Sequence, residues 1–400
     1  MSDLAMRLSA IKPSPTLSLN KKALEMRAQG HDVIALSAGE PDFRTPPWIC
    51  EAGKKAIDDG KTLYTDVVGT PALRKAVAQK FLKENSLEYD PSQIIVSTGG
   101  KQVLFNAFMA TLNPGDEVII PAPYWVSYPD MVILAGGTPI FAVCPEKDGF
   151  KITPEVLSQA ITPRTKWLVL NSPSNPTGAV YTKDELRVLA DVLLKNPHVL
   201  TLCDDIYEHI LYTGEPFVTL AQIEPRLKDR VLTLNGVSKA YAMTGWRIGF
   251  GAGPKHLITA MGTLQSQSTS NPCSIAQEAA LAALEGPKDF LKDFKESFQS
   301  RRDRTVALIN AVEGLSCGAP DGAFYLYVSC QGLLGRTTPD GGCLDTDSDV
   351  CAYFLEKANV AVVPGVAFGL SPYFRISYAT SQETLDEACT RLKKAVSVLK

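Results

Sequence analysis

Lys239 and Arg247, eight positions apart, are the pair in this 400-residue chain best suited to chemistry. They lie in Gly-Val-Ser-Lys-Ala-Tyr-Ala-Met-Thr-Gly-Trp-Arg-Ile-Gly, positions 236–249, between apolar runs at 231–234 and 248–252. Apolar, glycine-rich flanks favour a partly buried amine. Burial lowers a lysine's pKa because desolvation penalises the ammonium form. A neutral amine attacks carbonyls and forms Schiff bases. The planar fork of Arg247 suits a phosphate. Together they point to a carbonyl compound carrying a phosphate. The competing reading of the stretch is a solvated surface lysine with an unrelated arginine.

Apolar runs predict the elements that must position such a pair. Strands are expected at 94–96, 117–120, 138–143, 166–170, 199–203, 231–234 and 248–251, with helices between several of them, notably 101–112 and 183–194. Strands alternating with helices predict an α/β fold, a mostly parallel central sheet flanked by helices on both faces. Helices over 16–28, 46–59 and 72–84 and a short strand at 33–36 precede this pattern. Gly286-Pro287 opens a long charged helix to about Val312, and strands at 324–328, 360–363 and 374–378 form a smaller α+β unit. The Gly-, Thr- and Asp-rich tract 332–349 reads as a surface loop. The expected division is an N-terminal arm with part of the small domain (1–45), a large ligand-binding domain (46–312) and a small C-terminal domain (313–400).

Ligands of open α/β sheets bind outside the carboxyl ends of the strands, and unusual polar residues recur there. Thr98-Gly99-Gly100-Lys101 precedes a helix, where free backbone N–H groups bind phosphate, or it is an ordinary turn. Asn175, in Asn-Ser-Pro-Ser-Asn-Pro-Thr-Gly at 171–178, presents an amide to a cleft or shapes a plain turn. Asp204 either caps the next segment of chain or faces a cationic nitrogen, with Tyr207 facing an oxygen beside it. Trp125 is core, or stacks on an aromatic ring. Arg375 stands on an apolar strand, where arginine is unusual. It is either half of an ion pair or a bidentate clamp for a carboxylate.

Composition removes whole classes. Hydrophobic residues make up 45% of the chain and charged ones 21%, enough apolar content for a sizeable core. The net charge of −3, with no block of like charge, argues against nucleic acid and anionic membrane as partners. No apolar run is long enough to cross a bilayer, and the N-terminus lacks the apolar core of a secretory signal. Nine scattered cysteines without a CxxC pair fit a reduced, cytoplasmic setting. Four histidines without HxxxH spacing argue against a metal site.

Nearly end to end, the chain resembles the fold-type I, pyridoxal-phosphate-dependent aminotransferases, close to the aspartate aminotransferases. The resemblance is carried in the family's order by Asn175-Pro176-Thr177-Gly178, Asp204 with Tyr207, Gly236–Lys239, Gly245–Gly249 and Arg375. It implies that Lys239 forms the aldimine with pyridoxal 5′-phosphate and moves the proton between the substrate's Cα and the cofactor. It implies that Asp204 pairs with the pyridine nitrogen, that Tyr207 and Asn175 bond the ring's 3′ oxygen, and that Trp125 stacks on the ring. Gly100, Lys101, Ser238 and Arg247 would hold the phosphate. Tyr64 would reach the phosphate from a second subunit, which implies a homodimer with shared active sites. One departure is Gly236, where some aspartate aminotransferases carry a phosphate-binding serine.

The resemblance further implies that Arg375 binds the substrate α-carboxylate, with main-chain contact from Gly39. One subgroup binds the side-chain carboxylate with an arginine after the lysine site. Here no Arg or Lys occurs between Lys255 and Lys288. The chain resembles instead the subgroup that uses a threonine and a lysine, matched by Thr16 and Lys101, whose bland readings are a helix cap and an exposed lysine. Lys12 is placed to meet a second carboxylate of a bulkier substrate. The expected reaction is L-aspartate plus 2-oxoglutarate giving oxaloacetate and L-glutamate by a ping-pong cycle through the pyridoxamine form. The alternatives are a prephenate or bifunctional aspartate/prephenate aminotransferase, an aromatic aminotransferase, and a pyridoxal-phosphate lyase or synthase. A non-enzymatic sensor would require an added DNA-binding helical domain.

Overall fold

The computed structural model describes residues 5–11 and 15–400, and for Met6 and 15–20 the backbone alone. Its centre is a seven-stranded sheet in the order Ile94–Ser97, Gly249–Ala252, Val231–Gly236, Leu200–Asp204, Thr165–Asn171, Glu117–Ala122, Thr138–Val143. All neighbours pair in parallel except Gly249–Ala252, which runs antiparallel to both of its own. The expected mostly parallel α/β sheet is therefore the observed one.

Every residue of Ile94–Ser97, Val231–Gly236 and Gly249–Ala252 is buried. That is why these segments read as unbroken apolar runs: strands covered on both faces have no polar side. Alternate side chains leave a strand on opposite faces. Ile95 joins Val103, Phe108, Met131 and Met261 in one core, whereas Ile94 and Val96 join Leu73, Phe81, Leu189 and Ala279 in another. The edge strand Thr138–Val143 is half-solvated, with Phe141 and Val143 exposed. Local signals start the helices. Lys183–Lys195 opens with a capping box, Glu185 N–H donating to Thr182 Oγ1 at 3.2 Å and Thr182 N–H to Glu185 Oε2 at 2.7 Å.

A separate core joins the two ends of the chain. Ile34–Ala35 pairs in parallel with Val360–Ala361, and Tyr373–Ser377 lies antiparallel between Val363–Pro364 and Tyr325–Ser329. Three expectations shift. The strand expected at 360–363 is two short strands in different sheets. The long helix is Phe290–Asn310, because Gly286 caps the preceding helix Ser274–Glu285, donating its N–H to Ala282 O at 2.8 Å. The tract 332–349 is a loop only as far as Thr346, which caps a helix over Asp347–Ala358. Among the described residues, no helix is long and apolar enough to cross a membrane.

Candidate functional site

The carboxyl ends of the central strands open into a cavity of about 490 Å³. Gly39, Gly100, Lys101, Trp125, Asn175, Asp204, Tyr207, Ser238, Lys239, Arg247 and Arg375 all line it. Residues spread over some 340 positions thus meet in one place. Tyr64 does not line it and is 92% exposed. Thr16 belongs to the helix Pro15–Ala28, but its side chain, like all of Lys12, lies outside the described residues.

One end of the cavity is built from glycines. Gly99 (φ +83°) precedes the helix Gly100–Thr111, and a Cβ on it would stand 2.4 Å from Arg247 Nη2. A Cβ on Gly249 would stand 2.2 Å from Gly100 N. The strand Gly249–Ala252 can therefore press against this turn only because position 249 has no side chain. The first N–H groups of a helix lack intrahelical partners. Here they stand beside the Arg247 guanidinium, which donates to Thr244 O at 2.9 Å, and beside the buried Ser238. Helix N–H groups, a hydroxyl and a cation together are the chemistry that suits an anion.

The middle holds Lys239 and Asp204. Lys239 Nζ donates to Gly39 O at 2.5 Å. Burial pushes its pKa down to about 8; Glu40 and Asp204 oppose that, and the charges of Arg247 and Arg375 reinforce it. Asp204 ends its strand fully inside the protein. Burial pushes its carboxyl up to about 6, opposed by the Tyr128 hydrogen bond, the Ile206 N–H and the Lys239 charge. Tyr128 Oη donates to Asp204 Oδ2 at 2.6 Å, and the Ile206 N–H stands 3.4 Å from Oδ1. Asn171 ties neighbouring strand ends together, donating from Nδ2 to Asp204 O and accepting the Asn175 N–H, each at 2.8 Å. Tyr207 Oη shares a 2.8 Å hydrogen bond with Tyr325 Oη. Lys101 Nζ lies 4.9 Å from the Trp125 ring centre, a cation–π distance. Burial lowers the Lys101 pKa, and the Arg247 charge lowers it further.

The other end is set by Arg375. It is 4% exposed. Nη1 donates to Asn175 Oδ1 at 2.8 Å and Nη2 to Ser37 O at 2.7 Å, while Nε has no hydrogen-bond partner. Its guanidinium lies 4.6 Å from the Tyr325 ring centre and 5.1 Å from that of Phe368. Among the described residues no carboxylate pairs with it, which removes the ion-pair reading. A buried cation without its anion is costly, and here it borders an open cavity.

The structure adds Tyr128, Asn171 and Tyr325 to the site. Tyr128 and Tyr325 sit in apolar stretches that read as core, and they are core. Only the partners of their hydroxyls, 76 and 118 positions away, give them a second role.

An amine, a carboxylate and a guanidinium around one cavity, beside a helix start with free N–H groups, are parts that a group-transfer enzyme on an α/β sheet can use. Residues 31–392 match the family Aminotransferase class I and II, and the chain belongs to that family, which uses pyridoxal phosphate. It is 58% identical to the aspartate/prephenate aminotransferase of Cereibacter sphaeroides, over 98% of each chain. Its fold matches the crystal structure of the aspartate aminotransferase from Rhizobium meliloti with a TM-score of 0.98, at 55% identity over 100% of both chains. It matches the aspartate aminotransferase from Thermus thermophilus with maleate at TM-score 0.92 and 44% identity, over 99% of this chain and 100% of that one.

Proposed function

We propose that the chain binds pyridoxal 5′-phosphate in this cavity and transfers the amino group of L-aspartate to 2-oxoglutarate, forming oxaloacetate and L-glutamate. The observation that carries the reading is Arg375, a buried guanidinium with no carboxylate partner and an unpartnered Nε, lining the same cavity as the amine of Lys239. An α-carboxylate supplies the missing anion.

The residues fit the cofactor. The glycine cradle at 99–100, with Ser238 and Arg247, suits a phosphate, and the buried Asp204 suits a cationic ring nitrogen. When bound, the cofactor supplies a carbonyl that takes up the amino group and a protonated ring that accepts the electrons released at Cα. The protein's part is positioning and proton transfer. Backbone N–H groups of Gly100 and Lys101, with Ser238 and Arg247, would hold the phosphate. Asp204 would keep the ring nitrogen protonated. Tyr207 and Asn175 would serve the ring's 3′ oxygen, and Trp125 would cover the ring face. Lys239 would hold the cofactor at its carbonyl, and its Nζ is the group that would take the proton from the substrate's Cα. A pKa of about 8 keeps a useful fraction of that amine neutral near physiological pH. Arg375 and Gly39 orient the α-carboxylate, while Lys101 and Thr16 take the side-chain carboxylate. The same residues serve both halves of a ping-pong cycle. Tyr64, exposed in its own chain, is assigned to a second copy's phosphate site, so the working unit is a homodimer.

The test is a half-reaction screen. Purified holoenzyme is mixed with single amino acids and the visible absorbance of the cofactor is followed. Aspartate and glutamate are expected to bleach the band; no response to either overturns the assignment. A second reading, prephenate as amino acceptor, is favoured by the 58% identical aspartate/prephenate aminotransferase. Lys12 is assigned to the extra carboxylate there, and equal prephenate turnover by Lys12→Ala and wild type removes that role.

A further inference from the structure

Tyr128 belongs to the short helix Ser127–Leu134 and is 2% exposed. Its ring packs edge-on against Trp125, with centroids 5.3 Å apart and planes at 89°. A buried tyrosine hydroxyl needs a hydrogen-bond partner. This one takes a carboxylate oxygen at the bottom of the cavity, at the short distance of 2.6 Å. The groups facing Asp204 come from several elements: Tyr128 from its helix, Lys239 from beyond the strand Val231–Gly236, and Asp205 and Tyr207 from its own segment. Lys239 Nζ hydrogen-bonds elsewhere, to Gly39 O, and Asp205 and Tyr207 offer Asp204 no hydrogen bond. Apart from the long 3.4 Å contact of the Ile206 N–H to Oδ1, the Tyr128 hydroxyl is, among the described residues, the donor on this carboxylate.

We propose that Tyr128 is a positioning residue for the cofactor's ring nitrogen: by occupying Oδ2 it orients Asp204 and keeps it an anion, leaving Oδ1 as the oxygen that meets the ring. The inference rests on the cofactor reading above. It extends that reading to a side chain that touches neither substrate nor ring nitrogen. Its logic is electrostatic. Burial favours the neutral acid, and a neutral acid has no charge to set against a cationic nitrogen. A hydrogen bond donated to the carboxylate reverses part of that preference. A residue that merely filled space would serve equally well as phenylalanine.

The test is a double-mutant cycle on cofactor affinity, not on turnover. Apoprotein is titrated with pyridoxal 5′-phosphate across pH 5.5 to 9 for wild type, Tyr128→Phe, Asp204→Ala and the double variant. Tyr128→Phe is expected to weaken binding about tenfold at pH 7. It is also expected to move the acid limb of the affinity profile up by about one pH unit. In the Asp204→Ala background the same substitution is expected to change affinity less than twofold. Replacing Tyr128 with 3-fluorotyrosine, a stronger donor of nearly the same size, moves the limb the other way and covers the case of a poorly folded Tyr128→Phe. Equal losses in both backgrounds, or an acid limb that stays in place in both Tyr128 variants, overturn the proposal while leaving the cofactor reading intact. Wild-type apoprotein that binds no pyridoxal phosphate at any pH overturns the cofactor reading itself.

Discussion

Gly249→Ala tests whether the proposed phosphate site depends on backbone contact between the strand Gly249–Ala252 and the turn ahead of the helix Gly100–Thr111. The added Cβ would stand 2.2 Å from Gly100 N, 2.5 Å from Gly99 C and 2.7 Å from Gly100 Cα. All three are backbone atoms, so no side-chain rotation relieves the overlap. Ordinary contact requires the turn to retreat by about 1 Å, given carbon separations of roughly 3.5 Å or more at contact. Gly249 itself is held from both sides, opposite Ser97 and Gly236. Overpacking of this kind costs about 1–3 kcal/mol of stability. The larger effect falls on the ligand. A hydrogen bond to a charged group is worth about 1.5–3 kcal/mol. Misplacing the two N–H groups of Gly100 and Lys101 therefore costs about 3–6 kcal/mol of phosphate binding, a hundredfold or more in affinity. The assay is titration of apoprotein with pyridoxal phosphate, with guanidinium unfolding alongside. Gly245→Ala is the control: nothing lies within 4 Å of its added Cβ, and the change is expected to stay within about 0.5 kcal/mol. Affinity of Gly249→Ala within threefold of wild type would refute the argument that backbone contact here sets the site.

The buried charges set two further outcomes. In the apoprotein, Lys239 is expected to titrate with a midpoint of about 8, its amine free above and protonated below; labelling with an amine-selective reagent across pH reads this, and a midpoint near the ordinary 10.5 would show that burial does not govern it. Away from the cavity, Lys80 is buried against Glu208 and donates to Asn85 Oδ1 at 2.8 Å. Burial alone would raise the Glu208 pKa, but the charges of Lys80 and His209 hold it below the usual range. Lys80→Met leaves that carboxylate with Asn85 and His209 but without its buried cation and is expected to cost about 3–5 kcal/mol in guanidinium unfolding, whereas Lys80→Met with Glu208→Leu costs less. Equal losses in the single and double variants would show that the charge is not what matters.

Strands buried on both faces are legible as runs, and the polar residues ending them stand out against those runs. That is why Lys239 and Asp204 are visible as candidates, while Asn175 stands out in a cluster of turn residues and Arg375 as a cation inside an apolar strand. Tyr128 and Tyr325 are not, because an aromatic inside an apolar run has the same signature whether or not its hydroxyl is used. Helices packed on several sides are equally hidden. In Ser274–Glu285 the buried Ala276, Ala279, Ala280, Ala283 and Leu284 keep helical spacing, but Ile275, Leu281 and Ala282 between them are apolar too and blur the stripe. Gly286-Pro287 reads as a start and is a stop: glycine after a helix closes it, and the proline belongs to the exit. The backbone contact at Gly249 cannot be seen at all, since it depends on two segments about 150 positions apart.

The placement of charge around the cavity bears on the two roles proposed for Lys239, nucleophile and base. Lys101, Lys239, Arg247 and Arg375 line the cavity against Glu40 and Asp204, so its walls carry more cations than anions. Burial is the main cause that depresses Lys239, and Arg247 at one end and Arg375 at the other add to it. Each end is also where the proposed function puts an anion, a phosphate beside Arg247 and a carboxylate beside Arg375. An anion at either end offsets a neighbouring positive charge and raises the proton affinity of Lys239. Without anions the amine has its lowest proton affinity and its largest neutral fraction. With both ends filled it would hold a proton more tightly, so that a smaller fraction is free. On the proposed reading, the two arginines thus act on the lysine through occupancy as well as holding their ligands.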